Sequence, residues 1–263
     1  MVYNILCNIM RKGQHHLEGY DSITRQFILN ENTPLVITEA YSKIRTNLNA
    51  ALEKEPYQSI VVTSQCREEG KTTTAINIAL SFSRLEKRVL LIDADLRRSG
   101  IHETLRLKNR FGLSTILTRE SDIYSGICPE VRKDFHVMPS GPHVNNPSDL
   151  LGSAEAERLV RMLYDYYDYI IIDTPPLCIA SDSLLFGSFT GGTALVLREN
   201  KTTHSDLKAA LSTISLSKAK FLGVIKTHCS IKYDKKSDYT ASVEENGDPI
   251  DETDIVDDDV LED

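Results

Sequence analysis

Short apolar runs alternate along the chain with segments of helical periodicity. Six runs predict β-strands, and several are apolar at successive positions: Ser59–Thr63, Val89–Ile92, Phe135–Met138, Tyr169–Ile172, Thr193–Leu197 and Phe221–Ile225. Such strands are typically covered on both faces, as in a parallel sheet. Helical stretches at about residues 71–86, 153–167 and 203–217 lie between them. The alternation predicts an α/β fold with a doubly wound, mostly parallel sheet.

A longer helix is predicted ahead of the first of these strands. Thr38 is a candidate N-cap, and Pro56 fits the end of the helix. Apolar residues recur between them at helical spacing: Ala40, Ile44, Leu48 and Leu52. Residues 1–33 lack clear periodicity and are expected to form an extended or partly ordered arm. The main domain is therefore expected at residues 34–229, followed by a flexible tail at 230–263 that has few apolar residues.

Charge is distributed unevenly along the 263 residues, whose net charge is -8. Residues 244–263 contain eleven acidic side chains and no basic one, so 27 acidic and 30 basic side chains remain in residues 1–243. The acidic balance of the whole chain argues against nucleic acid as the main partner. No apolar run approaches the roughly 18 residues of a membrane span, and no signal peptide is evident, so we expect a cytoplasmic protein without a direct membrane span.

The strongest motif follows the strand Ser59–Thr63. Residues 64–73 read SQCREEGKTT, and a strand, a loop and then GKT at the start of a helix is the context of a phosphate-binding P-loop. Lys71 would reach the β- and γ-phosphates and the Thr72 hydroxyl would hold Mg²⁺. The alternative is a helix N-terminus with an incidental GKT, since Gln65 replaces the usual first glycine. The predicted nucleotide-binding residues of the loop are Glu69, Gly70, Lys71, Thr72 and Thr73.

Two further buried strands end in aspartates. The segment LLIDAD contains Asp93 and Asp95, and the segment IIID ends in Asp173, which is a Walker B pattern. In an open α/β sheet, ligands bind at the carboxyl ends of the strands. Two neighbouring carboxylates there repel each other unless Mg²⁺ or cationic groups are close, although a solvated loop of charges remains the alternative for Asp93 and Asp95. Asp173 would hold a magnesium-bound water or the Thr72 hydroxyl, so the three motifs together predict one nucleotide–Mg²⁺ site.

Together these motifs resemble the bacterial tyrosine kinases, in particular the cytoplasmic kinases of capsule and exopolysaccharide systems. The resemblance covers about residues 34–230, and LLIDADLRR is similar to the family's second Walker A motif. Pro142 and residues 146–151 (NPSDLL) resemble another family segment, and residues 39–47 resemble its EAYRxLRTN helix. ParA/MinD-type ATPases share the same ancestral fold.

The resemblance implies an ATP- and Mg²⁺-dependent, autophosphorylating protein-tyrosine kinase with a P-loop NTPase fold and deviant Walker motifs. It implies phosphorylation of the tail tyrosines Tyr233 and Tyr239 between subunits of a ring, in which Glu39 and Arg45 contribute to oligomerisation. It also implies activation by a separate membrane protein of the chain-length-regulator type. That partner would hold the kinase at the inner face of the membrane, where it regulates polysaccharide synthesis.

Roles for the site residues follow from the same resemblance. Lys71 would bind phosphate, and Asp93 would orient or deprotonate the incoming tyrosine hydroxyl beside Asp95. The catalytic residues would be Lys71, Asp93 and Asp95. The metal-binding residues would be Thr72, Asp93, Asp95 and Asp173.

The chain departs from the family's patterns at several positions. Arg67 and Glu68 replace the proline and glycine of PGEGK, Ser42 replaces the middle arginine of the ring motif, and Lys226 follows a strand that usually ends in asparagine. One alternative function is therefore a degenerate nucleotide-binding regulator without kinase activity. Another is a ParA/MinD-type ATPase, against which the missing signature lysine argues, since Cys66 occupies its place.

The cysteines predict reduced thiols rather than a disulfide scaffold or a zinc site. They are odd in number and widely spaced, with no CxxC pair: Cys7, Cys66, Cys128, Cys178 and Cys229. For Cys66, a plain loop cysteine is one interpretation and a redox-sensitive thiol near phosphate is the other.

Overall fold

In the computed structural model, eight strands are hydrogen-bonded in the order β1-β8-β7-β2-β6-β3-β5-β4. The structure describes residues 2–6, 27–187, 189–216 and 219–229, and the eight strands are those found within these ranges. The strands are β1 Val2–Leu6, β2 Ser59–Ser64, β3 Val89–Asp93, β4 Cys128–Arg132, β5 Phe135–Met138, β6 Tyr169–Asp173, β7 Thr193–Arg198 and β8 Phe221–Cys229. Neighbours run parallel except β4 and β5, which are antiparallel. The predicted α/β fold with a mostly parallel sheet is confirmed.

Helices pack on both faces of the sheet. Their bounds in the described residues are α1 Leu35–Leu52, α2 Lys71–Ser83, α3 Ile101–Leu105, α4 Leu113–Leu117, α5 Pro147–Leu151, α6 Ala154–Leu163, α7 Asp182–Gly187 and α8 His204–Ser215. On β6, Ile171 packs into the core formed with α1 and α2, whereas Ile170 and Ile172 pack into the core formed with α6 and α7. Successive side chains of a strand point to opposite faces, which explains the continuous apolar runs.

The predicted helix bounds need correction at α1. The helix begins at Leu35 with Pro34 as its N-cap residue, three residues before Thr38. Proline suits the entry to a helix because its missing N–H has no partner to lose there. The helix ends at Leu52, so Pro56 lies beyond its end. None of the described helices is long and apolar enough to cross a membrane.

Several elements are absent from the sequence-based prediction. The strands β1 and β4 have five residues each, and the helices α3, α4, α5 and α7 have five or six. These helices complete fewer than two turns, too few for a helical period to emerge, whereas β1 and β4 lack a continuous apolar run because Asn4 interrupts one and Pro129 and Glu130 interrupt the other. The predicted tail, including Tyr233 and Tyr239, lies outside the described residues.

The buried side chain of Asn77 fixes the segment that precedes α1. Its Oδ1 accepts a hydrogen bond from the Leu29 amide at 2.8 Å, and its Nδ2 donates to the Phe27 carbonyl at 2.7 Å. Leu29 is fully buried in the core beside α2. The end of the N-terminal arm is therefore part of the core, which the sequence pattern does not reveal.

The sheet order brings the three sequence motifs to one edge. Strand β6 lies between β2 and β3, and its Asp173 is in register with Val62 of β2 and with Asp93 of β3. Because these strands are parallel, the loops at their carboxyl ends meet. This edge holds the candidate functional site.

Candidate nucleotide site

The loop between β2 and α2 ends in a left-handed glycine. Gly70 has φ +88° at the N-cap of α2, a conformation that side-chain-bearing residues rarely adopt. The Thr74 amide donates to the Gly70 carbonyl at 2.9 Å and closes the first turn. The amides of Lys71, Thr72 and Thr73 begin the helix, where backbone N–H groups lack a carbonyl four residues earlier in the helix and can bind an anion.

Lys71 lies among the carboxylates of two neighbouring strands. Its Nζ is 3.0 Å from Asp95 Oδ2 and 3.7 Å from Asp173 Oδ1, and its side chain is 13% exposed. Burial lowers the pKa of Lys71, but the charges of Asp173 and Asp95 outweigh it, so that the pKa is raised. The ammonium group is therefore a permanent cation at this edge.

Thr72 and Asp173 are linked directly. The Thr72 hydroxyl donates to Asp173 Oδ2 at 2.7 Å. Asp173 Oδ1 is buried and has no hydrogen-bond donor among the described residues, with Lys71 as a cation nearby. Burial raises the pKa of Asp173 to about 6, against the opposing charge of Lys71.

Asp93 is fully buried and held by main-chain amides. Its Oδ1 accepts from the Asp95 amide at 3.3 Å, and its Oδ2 accepts from the amides of Gly100 at 3.3 Å and Ile101 at 3.2 Å. Burial, reinforced by the charge of Asp173, raises the pKa of Asp93 to about 8. This carboxyl group is therefore far more basic than an exposed aspartate.

The loop after Asp95 is anchored by a network that sequence reasoning missed. Arg97 Nε donates to Asp182 Oδ2 at 3.3 Å, and its Nη2 donates to Ser148 Oγ at 2.7 Å. The Ser148 hydroxyl in turn donates to Asp182 Oδ1 at 2.5 Å. Asp182 is fully buried but stands in no recognisable motif, so only the resemblance of the NPSDLL segment pointed to this region.

The oxygen groups of the site suit Mg²⁺. Thr72 and the carboxylates of Asp93, Asp95 and Asp173 are hard oxygen donors, and the buried Asp173 Oδ1 lacks a donor. Among the described residues, no group of three or more His, Cys, Asp or Glu side chains forms a metal site by itself. A sparse set of protein ligands is typical of Mg²⁺, which usually keeps waters and binds substrate phosphates.

The two glutamates of the loop are engaged by the β7–α8 connection. Glu69 is buried, and its carboxylate accepts from the Cys66 amide at 2.7 Å and from the Thr202 hydroxyl. Glu68 is exposed and forms an ion pair with Lys201 at 3.1 Å. Both carboxylates are thus engaged by hydrogen bonds or an ion pair within the protein.

The same connection also binds the loop's main chain. Lys201 Nζ donates to the Arg67 carbonyl at 2.8 Å, and Arg198 Nη1 donates to the Glu68 carbonyl at 3.1 Å. No sequence motif marks Arg198, Lys201 or Thr202. Their role depends on β7 lying beside β2 in the sheet.

Replacing Glu69 with glutamine is expected to loosen this loop. Glutamine keeps one acceptor oxygen but loses the charge and the second acceptor, so we expect the free energy of unfolding to fall by about 2 kcal/mol. Urea denaturation measures that change. The matched control is Glu68→Gln, whose exposed ion pair contributes at most about 1 kcal/mol. Equal effects of the two substitutions would contradict the assignment of Glu69 as the buried anchor.

The predicted oligomerisation residues lie apart from this site, on α1. Glu39 is exposed, whereas Arg45 is half-buried and its Nη1 donates to the Ser81 carbonyl of α2 at 2.7 Å. Burial, with the charge of Arg84 adding, lowers the pKa of Arg45. Arg45 therefore has a contact within its own chain.

Comparisons with known proteins agree with these motifs. A family model described as an AAA domain matches residues 57–186. The chain is 36% identical over 202 residues to the tyrosine-protein kinase YwqD of Bacillus subtilis (strain 168), covering 77% of this chain and 84% of that protein. Among solved structures, the chimerical protein CapA2B2 is similar with a TM-score of 0.72 and 32% identity, covering 77% of this chain and 88% of the other.

A further similar structure is the kinase domain of the Escherichia coli tyrosine kinase ETK. Its TM-score is 0.70 at 28% identity, and the match covers 75% of this chain and 79% of that domain. The family model's match at residues 57–186 includes Lys71, Asp93 and Asp173.

Proposed function

The chain belongs to the bacterial family of protein-tyrosine kinases, and on that premise we propose that it transfers the γ-phosphoryl group of ATP to tyrosines of its own C-terminal tail. The proposal is carried by one observation, the convergence of a cation, a hydroxyl and three carboxylates at one sheet edge: Lys71, Thr72, Asp93, Asp95 and Asp173. Phosphoryl transfer needs mainly positioning and charge neutralisation, which such a set supplies.

Each group has a distinct task in the proposed reaction. Lys71 exchanges its contact with Asp95 for the phosphate oxygens and neutralises their charge. The tyrosine oxygen bonds to the γ-phosphorus while the bond to the bridging oxygen breaks and ADP leaves. Asp93 in its ionised form accepts the tyrosine proton, which its raised pKa of about 8 lets it hold more firmly than an exposed carboxylate would. Thr72, Asp95 and Asp173 would hold Mg²⁺, which would supply further charge neutralisation on the phosphates.

The proposal extends to regulation and location. We take the tail tyrosines Tyr233 and Tyr239 as the acceptors, and phosphorylation as passing between subunits of a ring. A separate membrane protein of the chain-length-regulator type would activate the kinase, hold it at the inner face of the membrane, and couple it to capsule or exopolysaccharide synthesis. Family membership supports these points. Because Arg45 also contacts α2, the exposed Glu39 is the cleaner position at which to test ring assembly.

Mapping of phosphotyrosine after incubation with ATP and Mg²⁺ tests the proposal. The full chain is incubated alone and with the cytoplasmic segment of the membrane partner, and phosphopeptides are identified by mass spectrometry. We expect phosphate on Tyr233 or Tyr239 and none in the Tyr233→Phe/Tyr239→Phe double variant. Tyr124→Phe is the matched control, since Tyr124 is 83% exposed but lies in the folded domain.

Two other outcomes would overturn the proposal in different ways. Nucleotide binding without phosphotyrosine would favour the regulator without kinase activity, or an ATPase if phosphate is released into solution. Phosphate on Tyr124 in place of the tail would exclude the tail tyrosines as the acceptors.

A further inference from the structure

Two cysteines from separate motifs lie side by side at the phosphate-binding edge. Cys66 belongs to the loop after β2, and Cys178 belongs to the segment after β6. The Cys178 amide donates to the Gln65 carbonyl at 3.1 Å, and the Leu177 amide donates to the Ser64 carbonyl at 2.8 Å. These bonds hold the two backbones together, so that Cys178 lies against the residue that directly precedes Cys66.

The two thiols differ in accessibility. Cys178 is exposed, whereas Cys66 is half-buried, and both are free cysteines. Burial raises the pKa of the Cys66 thiol to about 11, with the charges of Cys178 and Glu69 adding to the effect. Cys66 is therefore protonated near neutral pH, and Cys178 is the thiol that a dissolved oxidant meets first.

We propose that Cys66 and Cys178 are a redox modification site, at which a hydroperoxide drives formation of a reversible disulfide. In the first step, the Cys178 thiolate attacks the peroxide, gaining one oxygen as a sulfenic acid while the peroxide is reduced to an alcohol or water. In the second step, the Cys66 thiol gives up its proton and the resulting thiolate attacks the Cys178 sulfur. The S–S bond forms, the S–O bond breaks, and the Cys66 proton leaves with the hydroxyl group as water.

The disulfide alters the phosphate-binding loop, a consequence that rests on the proposed function. An S–S bond of about 2 Å is much shorter than a contact between two thiols. Its formation therefore shifts Cys66, whose amide donates to the buried Glu69 carboxylate at 2.7 Å. Displacement of this loop by about 1 Å is enough to impair a site that acts by positioning.

Peptide mapping of the full chain after treatment with hydrogen peroxide tests the disulfide itself. We expect a linked peptide pair containing Cys66 and Cys178, which dithiothreitol separates again. In Cys66→Ser, Cys178 should accumulate as a sulfenic acid that dimedone traps, and in Cys178→Ser, Cys66 should stay a thiol. Cys128→Ser is the control that leaves the linked pair unchanged. Free Cys66 after oxidation, or a link from either residue to a different cysteine, would overturn the proposal.

A second measurement separates the disulfide from the proposed function. Affinity for a fluorescent ADP analogue with Mg²⁺ is measured for the reduced and oxidised protein, and we expect oxidation to weaken it about tenfold. The same treatment of Cys178→Ser should have no effect. An unchanged affinity despite a mapped disulfide would refute the regulatory effect alone. Failure of the reduced protein to bind nucleotide would refute the proposed function, while the mapped disulfide would stand.

Discussion

Lys71→Met is expected to lower tail phosphorylation by roughly 10³-fold, comparable to the loss of a main electrostatic contact to the transition state. Methionine has nearly the same length as the lysine stem but no charge. It therefore removes the cation expected to contact the β- and γ-phosphates. It also leaves Asp95 and Asp173 without the ammonium group that lies 3.0 and 3.7 Å from them. Initial rates of phosphotyrosine formation at saturating ATP and Mg²⁺ measure the effect.

The matched control for this experiment is Lys208→Met. Lys208 is an exposed residue of α8, so its replacement makes the same chemical change away from the site. We expect its rate to stay within about twofold of the wild type, since exposed substitutions of this kind have small effects. Circular dichroism of both variants verifies that they fold. If folded Lys71→Met keeps more than about a tenth of the wild-type rate, Lys71 does not have the assigned role.

Asp93 is expected to make the metal-free protein less stable as the pH rises from about 5 to about 9. The folded protein binds the Asp93 proton with a pKa of about 8, whereas the unfolded chain releases it near the ordinary value of 3.8. Between these values the folded state holds more protons, so raising the pH favours unfolding. The stabilising contribution of the protonated carboxyl is complete below the ordinary pKa and is lost as the pH rises through about 8. Neighbouring charges belong to Lys71, Asp95 and Asp173.

Asp93→Asn isolates this contribution because asparagine does not titrate. We expect the difference in free energy of unfolding, variant minus wild type, to increase by about 3 kcal/mol between pH 5 and pH 8. Asp173, with a pKa of about 6, titrates in both proteins. Urea denaturation in a chelating buffer at several pH values measures the difference.

Asp122→Asn is the control for the pH series. The backbone amide of Ser125 lowers the pKa of Asp122, so this carboxylate stays ionised in the folded and the unfolded protein across the whole range. Its difference from the wild type should therefore be independent of pH between 5 and 9. A constant difference for Asp93→Asn would show that the buried carboxyl does not carry a raised pKa.

The elements with strong periodicity were predictable, and the irregular ones were not. The runs at β3 and β6 are apolar at every position because each strand is covered by helices on both sides, so composition alone reveals them. The helix α2 begins at Lys71, inside the GKT motif that marks its start in the sequence. In contrast, α3 and α7 depend on contacts with distant residues, and their few residues carry too little pattern.

The candidate site was predictable as a set of residues, because each motif joins a buried strand to polar side chains at its end. The sequence identified Lys71, Thr72, Asp93, Asp95 and Asp173, and parallel strands imply that their carboxyl ends share one edge. It could not reveal which carboxylate contacts Lys71, since that depends on the sheet order in which β6 lies between β2 and β3.

Tertiary structure alone decided how the unusual loop residues are used. From the sequence, Glu68 and Glu69 are two like charges beside a phosphate site. In the folded chain, the order β7-β2 brings Thr202 and Lys201 to them, so that one glutamate anchors the loop and the other forms an exposed ion pair. The same holds for Cys66 and Cys178. The sequence determines which side chains are present and which local elements carry them. Contacts between segments distant in sequence arise only when the strands assemble into the sheet.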